Sequence, residues 1–121
     1  PFQPEKILPM SLGMADLGVV TLSKDVSSAM LPSKAIYYMA VGAALMGVCD
    51  EESQLAGVIE KSECGLVINP QRSDQIASEI LKLSKDTARL ITYKNSARAH
   101  CKKFHDKERC LASFIQHLQA K

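Results

Sequence analysis

The chain has 121 residues, of which 46% are hydrophobic and 23% charged, a composition that suits one globular domain or part of a larger one. A net charge of +2 excludes the broad basic field of many nucleic-acid-binding proteins, so we expect no nucleic-acid partner. Four cysteines without C-x-x-C spacing predict reduced thiols in a cytoplasmic protein. No apolar run approaches the roughly 18 residues that span a bilayer, and the first residues lack a signal-peptide pattern.

In chain order, short apolar runs alternate with helical patterns. Three runs predict strands: Leu17–Leu22, with the pattern of a strand buried on both faces, a second buried strand at Ala43–Val48, and a third at Gly65–Ile68. Spacing and capping signals predict the helices: Leu8–Met14, Ser33 to about Val41, one after Asp50–Ser53, one from Ser73 or Asp74, Asp86–Phe104 and Asp106–Gln119. This order predicts an α/β fold with a parallel sheet, ending in two packing helices.

The segment from Leu31 to Lys34 is the strongest candidate for a binding site. It connects the first strand to a helix, at the carboxyl edge of the sheet where ligands of such folds bind. A helix N-terminus offers unpaired N–H groups and a partial positive charge, which attract phosphate. Ser33 is a candidate N-cap or phosphate contact, and Lys34 could neutralise a diphosphate or remain solvated. Met30 and Leu31 could pack against a nucleotide base, although core filling is the commoner role.

Other polar clusters are weaker candidates. His100, Cys101, His105 and Cys110 do not match a zinc-site spacing, so we predict no metal. Nucleophile motifs and carboxylate pairs placed for acid–base catalysis do not stand out, so we assign no catalytic residue and no cofactor. Basic residues near the last two helices predict a solvated face with at most a weak peripheral attraction to anionic lipid on the inner face of the cell membrane. They are Lys102, Lys103, Lys107 and Arg109.

Five short motifs occur together in one order. They are Ala15–Val20, Leu31–Lys34 with Met39–Gly42, Ser53–Ala56, Cys64–Ile68 and Asn95–Arg98. In this order and spacing, the chain resembles the C-terminal, donor-binding domain of a GT-B glycosyltransferase. The nearest resemblance is to the retaining family-four group (group 1) that builds surface polysaccharides and lipopolysaccharides, and it covers about Leu8 to Leu118.

The resemblance implies a Rossmann-like parallel sheet with flanking helices, the C-terminal half of a nucleotide-sugar-binding domain. Residues 1–121 would then be a partial donor domain, with the acceptor domain and the first half of the donor domain preceding Pro1. The complete enzyme would transfer a sugar from a nucleotide-diphosphate donor to a glycan or lipid-linked acceptor, and this part alone would be inactive. The implied substrate-binding residues are Met30, Leu31, Pro32, Ser33, Lys34 and Tyr37.

The chain departs from the family pattern at two positions. Tyr37 stands where the family commonly has a glutamate that holds the donor ribose, and a phenol can donate or accept one hydrogen bond but cannot act as a bidentate acceptor. Near Ser53, where a second acid often lies, the chain offers Gln54 beside Glu51 and Glu52. Two alternatives stay open: a non-catalytic nucleotide-binding or regulatory α/β module, and a nucleotide-sugar 2-epimerase-like isomerase, whose Thr/Ser-Glu-Arg-Pro-Glu run is missing here.

Overall fold

The computed structural model describes residues 4–23 and 30–120. The strands are β1 (Leu17–Thr21), β2 (Ala44–Val48) and β3 (Gly65–Ile68). The helices are α1 (Leu8–Gly13), α2 (Ser33–Val41), α3 (Gln54–Ser62), α4 (Asp74–Lys85), α5 (Thr87–Phe104) and α6 (Lys107–Gln119), with a short 3₁₀ helix at Pro70–Arg72. The predicted Ser23–Ser28 loop lies, from position 24, outside the described residues.

The three strands form one parallel sheet in the order β1-β2-β3. In the register, Met46 of β2 lies between Val19 of β1 and Leu66 of β3. Helix α2 connects β1 to β2, and α3 connects β2 to β3, because parallel strands need a crossover between them. The α/β fold and the parallel sheet predicted from the alternating pattern are therefore confirmed.

The core lies around the central strand. All five residues of β2 are buried, and α2 and α3 contribute Met39, Leu55 and Ile59, each at most 1% exposed. Gly65 allows β3 to approach β2 closely, because a Cβ on this residue would lie 1.7 Å from the Leu45 carbonyl oxygen. Fully burying a side chain such as Leu55 stabilises the fold by about 1.5–3 kcal/mol.

Helix α5 lies across the amino ends of the strands. The Lys94 ammonium contacts the Asp16 carboxylate just before β1 at 2.7 Å. The Arg98 side chain passes Gly42, which ends α2 in the left-handed conformation (φ 77°) that favours glycine. Ala97 on the same helix is fully buried. The amino edge is therefore covered by α5, and the carboxyl edge carries the loops that lead into α2 and α3.

The prediction of two packing helices is correct for α5 only. Helices α5 and α6 form one long C-terminal helical segment that bends at His105 and Asp106, and α6 buries no residue. Its apolar side chains lie on one face, as the helical spacing requires, but no described element covers that face. Periodicity in a sequence shows which residues share a face, and it does not show what packs against it.

Candidate functional site

The N-terminus of α2 carries no side-chain cap. Pro32 is the N-cap residue, with extended backbone (φ −62°, ψ 134°), and its carbonyl accepts the Ala35 N–H at 3.0 Å. Ser33, predicted as a candidate cap, is instead the first helical residue and is exposed, so the cap prediction is wrong. The reason is geometric: a cap must be extended before the helix, and Pro32 fulfils that role without a side-chain acceptor. The N–H groups of Ser33 and Lys34 have no hydrogen-bond partner among the described residues and are left for solvent or a ligand.

Lys34 lies in this first turn and is exposed. Its Nζ lies 5.9 Å from the centre of the Tyr38 ring, one helical turn further on, within cation–π range. Among the described residues it forms no ion pair. A lysine at a helix N-terminus is electrostatically unfavourable by itself, since the partial charge there is positive. An anion at this position would stabilise both the lysine and the helix terminus.

Met30 and Leu31 differ in their surroundings. Leu31 is half-buried and packs against the core cluster around β2, as expected for the core-filling alternative. Met30 is 54% exposed and lies just before the helix. Met30 is therefore the apolar side chain available to a ligand at the start of α2, and Leu31 holds the segment to the core.

Tyr37 lies away from this group, on the side of α2 that faces α1. It is 54% exposed and lines an apolar cavity of about 380 Å³ with Leu8, Pro9 and Leu12 of α1. The adjacent Tyr38 turns inward and lies against Gly18, because neighbouring residues of a helix point about 100° apart. The structure thus brings Met30 to Lys34 together and places Tyr37 in a separate cavity beside α1.

The loop before α3 lies at the same carboxyl edge as the start of α2, because β1 and β2 are adjacent and parallel. The Ser53 hydroxyl accepts the Ala56 N–H at 3.1 Å and is buried, so Ser53 is the N-cap that the sequence indicated. Glu51, Glu52 and Gln54 are exposed beside it. These three side chains are therefore accessible to a ligand at this edge.

Two buried thiols lie near this loop and β3: Cys49 precedes the loop, and Cys64 precedes β3. Burial raises the pKa of the Cys49 thiol, although a hydrogen bond with Ser53 opposes this change. Burial likewise raises the pKa of Cys64, with an opposing hydrogen bond from Ser62. A protonated thiol is a poor nucleophile and a poor metal ligand, so these two cysteines act as small core residues.

A second polar region, which the sequence interpretation missed, lies between α2, α5 and α6. A cavity of about 460 Å³ is lined there by Ala40, Arg98, Cys101, Lys102, His105, Asp106 and Arg109. Three of these side chains are cations. The available signal was the spacing of Arg98 and Lys102, which share one helix face at i, i+4. The bend at His105 and Asp106 that brings Arg109 to the same place is a tertiary feature, and the spacing does not indicate it.

The histidines and cysteines of this region do not form a metal site. In the described part of the chain, no three metal-ligating side chains are placed to hold an ion. The Cys101 thiol faces the Ile36 carbonyl oxygen at 4.0 Å, and Cys110 is exposed. Burial lowers the pKa of His100, and the nearby His105 and Lys103 lower it further.

Comparisons with models of known protein families, with curated proteins and with solved structures found no match to this chain. Within residues 4–23 and 30–120, no helix is both long enough and apolar enough to cross a membrane.

Proposed function

We propose that this chain is the donor side of a glycosyltransferase and binds the diphosphate of a nucleotide sugar at the start of α2. The observation that carries the proposal is the exposed N-terminus of α2, where, among the described residues, no side chain forms a cap and Lys34 has no ion-pair partner. It follows the first strand of a parallel α/β sheet, at the edge where such folds bind ligands.

Each residue of the proposed site has a chemical role. The N–H groups of Ser33 and Lys34 donate to phosphate oxygens, and the Lys34 ammonium neutralises charge that develops on the leaving diphosphate. The Ser33 hydroxyl can donate one further hydrogen bond, and Met30 offers apolar surface to the base. Pro32 fixes the backbone that precedes the helix. Tyr37 would contact the ribose only if the donor extended along α2 toward α1.

The acceptor in this proposal is a glycan or a lipid-linked saccharide, held by a domain that this chain does not contain. Catalysis in such a transferase is mostly positioning and electrostatic stabilisation of the leaving group, so one binding wall does not suffice. We expect no turnover of nucleotide sugars by this chain alone. Turnover of a nucleotide sugar by the purified 121-residue chain would contradict the proposal that a second domain must hold the acceptor.

The phosphate contact is tested by titrating the chain with UDP, GDP, ADP and CDP, using calorimetry. Lys34→Ala should weaken binding of the preferred nucleotide by about 10- to 100-fold, the range of a charge-assisted hydrogen bond of about 1.5–3 kcal/mol. Lys61→Ala is the matched control, because Lys61 is equally charged and exposed but lies in the last turn of α3. Equal affinity in the wild type and Lys34→Ala would exclude the proposed role of Lys34.

A further inference from the structure

The cavity between α2, α5 and α6 has an excess of positive charge. Arg98 and Lys102 on α5 and Arg109 on α6 line it, with Asp106 as the single carboxylate. None of the three cations forms an ion pair with a residue that the structure describes. Three cations that share one concave surface repel one another unless an anion lies between them.

His105 adds an independent observation in the same cavity. Its backbone ends α5 by donating to the Cys101 carbonyl oxygen at 2.8 Å, which holds the residue in place. The ring atom Nε2 is buried and has no hydrogen-bond partner among the described residues. A buried polar atom without a partner costs about 1–3 kcal/mol. A ligand that accepts a hydrogen bond from Nε2–H would remove this cost, but the ring would have to turn to expose this atom, because it is closed to solvent in this conformation.

A structural role accounts for only part of this arrangement. Arg98 lies over Gly42 at the C-terminus of α2, where the helix dipole favours a cation. That explanation does not extend to Lys102 and Arg109, which lie on other turns, or to the orphaned nitrogen of His105. The chemistry that satisfies all four side chains is an oxyanion with several acceptor oxygens.

We propose that this cavity binds a phosphoryl group, with Arg98, Lys102 and Arg109 as its counter-charges and with the His105 ring turning to donate a hydrogen bond from Nε2. Guanidinium groups match the oxygens of a phosphoryl group in a bidentate manner, and an ammonium contributes a point charge. The volume of about 460 Å³ exceeds that of inorganic phosphate and suits a phosphorylated small molecule or a lipid headgroup.

This site is separate from the start of α2. Ala40, which lines the cavity, lies six residues beyond Lys34, about 9 Å along the helix axis. Lys34→Ala should therefore leave binding in the cavity unchanged. The two binding proposals can therefore be tested separately, and Lys34→Ala distinguishes binding at the start of α2 from binding in the cavity.

The first test is an NMR titration of the chain with inorganic phosphate and pyrophosphate at ionic strength held constant with chloride. We expect a saturable shift of the His105 ring resonances, and an affinity about tenfold weaker in Lys102→Ala and in Arg109→Ala. Lys103→Ala is the matched control, since Lys103 is the next residue on α5, has the same charge and does not line the cavity. Both cavity variants change exposed side chains, so they should fold, which a thermal melt verifies.

A second arm distinguishes the source of the phosphoryl group. Sedimentation with phosphatidylglycerol vesicles, compared with phosphatidylcholine vesicles, measures headgroup binding in the same variants. A lipid headgroup is supported as the ligand if the chain binds vesicles and if Lys102→Ala and Arg109→Ala reduce this binding. Lys103→Ala should leave it unchanged. The proposal is overturned if neither soluble phosphates nor vesicles bind saturably, or if Lys103→Ala weakens binding as much as the cavity variants do.

Discussion

At the scale of single residues, two serines near helix starts have different roles. Ser53 is 3% exposed, and its hydroxyl accepts the Ala56 N–H at the start of α3. Ser33 is the first residue of α2, and the extended residue before it is Pro32. The buried serine therefore stabilises its helix, whereas the exposed serine leaves its helix terminus open. This difference is what makes the start of α2 a candidate binding site.

Replacing Ser53 with alanine tests whether its capping hydrogen bond stabilises the fold. We expect Ser53→Ala to lower the free energy of unfolding by about 1 kcal/mol, because it removes the acceptor for a first-turn N–H. Ser73→Ala is the matched control, since Ser73 is the N-cap of α4 but its side chain makes no capping hydrogen bond. Urea unfolding of both variants gives the comparison. Equal losses in the two variants would show that the hydrogen bond at Ser53 adds no stability.

At the scale of elements, α5 and α6 pack differently. Helix α5 buries Ala97 and contacts α2 and the sheet. Helix α6 exposes four apolar residues on one face, Leu111, Phe114, Ile115 and Leu118, each at least 43% accessible. Such a face normally packs against something, but its exposure within the chain means that it adds little to the folding free energy.

Two leucine-to-alanine variants measure this difference directly. Leu118→Ala on α6 should change the free energy of unfolding by less than about 0.5 kcal/mol, as is usual for an exposed side chain. Leu55→Ala on α3 should cost about 2–5 kcal/mol, because Leu55 is fully buried in the core. Denaturant melts at two protein concentrations make the comparison. A loss of more than about 1 kcal/mol in Leu118→Ala that grows with concentration would mean that copies of the chain associate through α6.

The elements themselves were largely predictable from the sequence, for reasons visible in particular residues. The β-branched run of β1 and the apolar run of β2 predicted strands, and Gly42 and Ser53 marked helix boundaries correctly. These are local signals, determined by backbone conformation and by nearby side chains. The boundaries differ from the prediction by only a residue or so, as helix and strand ends usually do.

The positions of side chains relative to distant elements were not predictable in the same way. The cavity that holds Tyr37 depends on where α1 packs, and the cation-lined cavity depends on the bend before α6. Both are tertiary features that involve residues far apart in sequence. The sequence therefore indicated the start of α2 as a candidate site but gave no indication that Arg98 and Arg109 lie in one cavity.

At the scale of the whole molecule, buried thiols couple the stability of the fold to pH. Cys49 and Cys64 are fully buried, and burial raises the pKa of each thiol in the folded state. An unfolded thiol has a pKa of about 8.5. Above that pH the unfolded chain loses protons that the folded chain keeps, which favours unfolding. The contribution of these thiols to stability is therefore complete below about pH 8.5 and is lost as the pH rises towards the folded-state values.

The variant Cys64→Ala isolates this effect from the other groups that titrate at alkaline pH. We expect the wild type to be more stable than Cys64→Ala at pH 7, because alanine leaves a cavity in the core, and the difference to narrow between pH 8 and 10. Cys110→Ala should follow the wild-type profile, since Cys110 is exposed. Urea unfolding under reducing conditions at each pH gives the three profiles. Parallel profiles for the wild type and Cys64→Ala would show that Cys64 has the same pKa in both states, because only a difference in bound protons makes stability depend on pH.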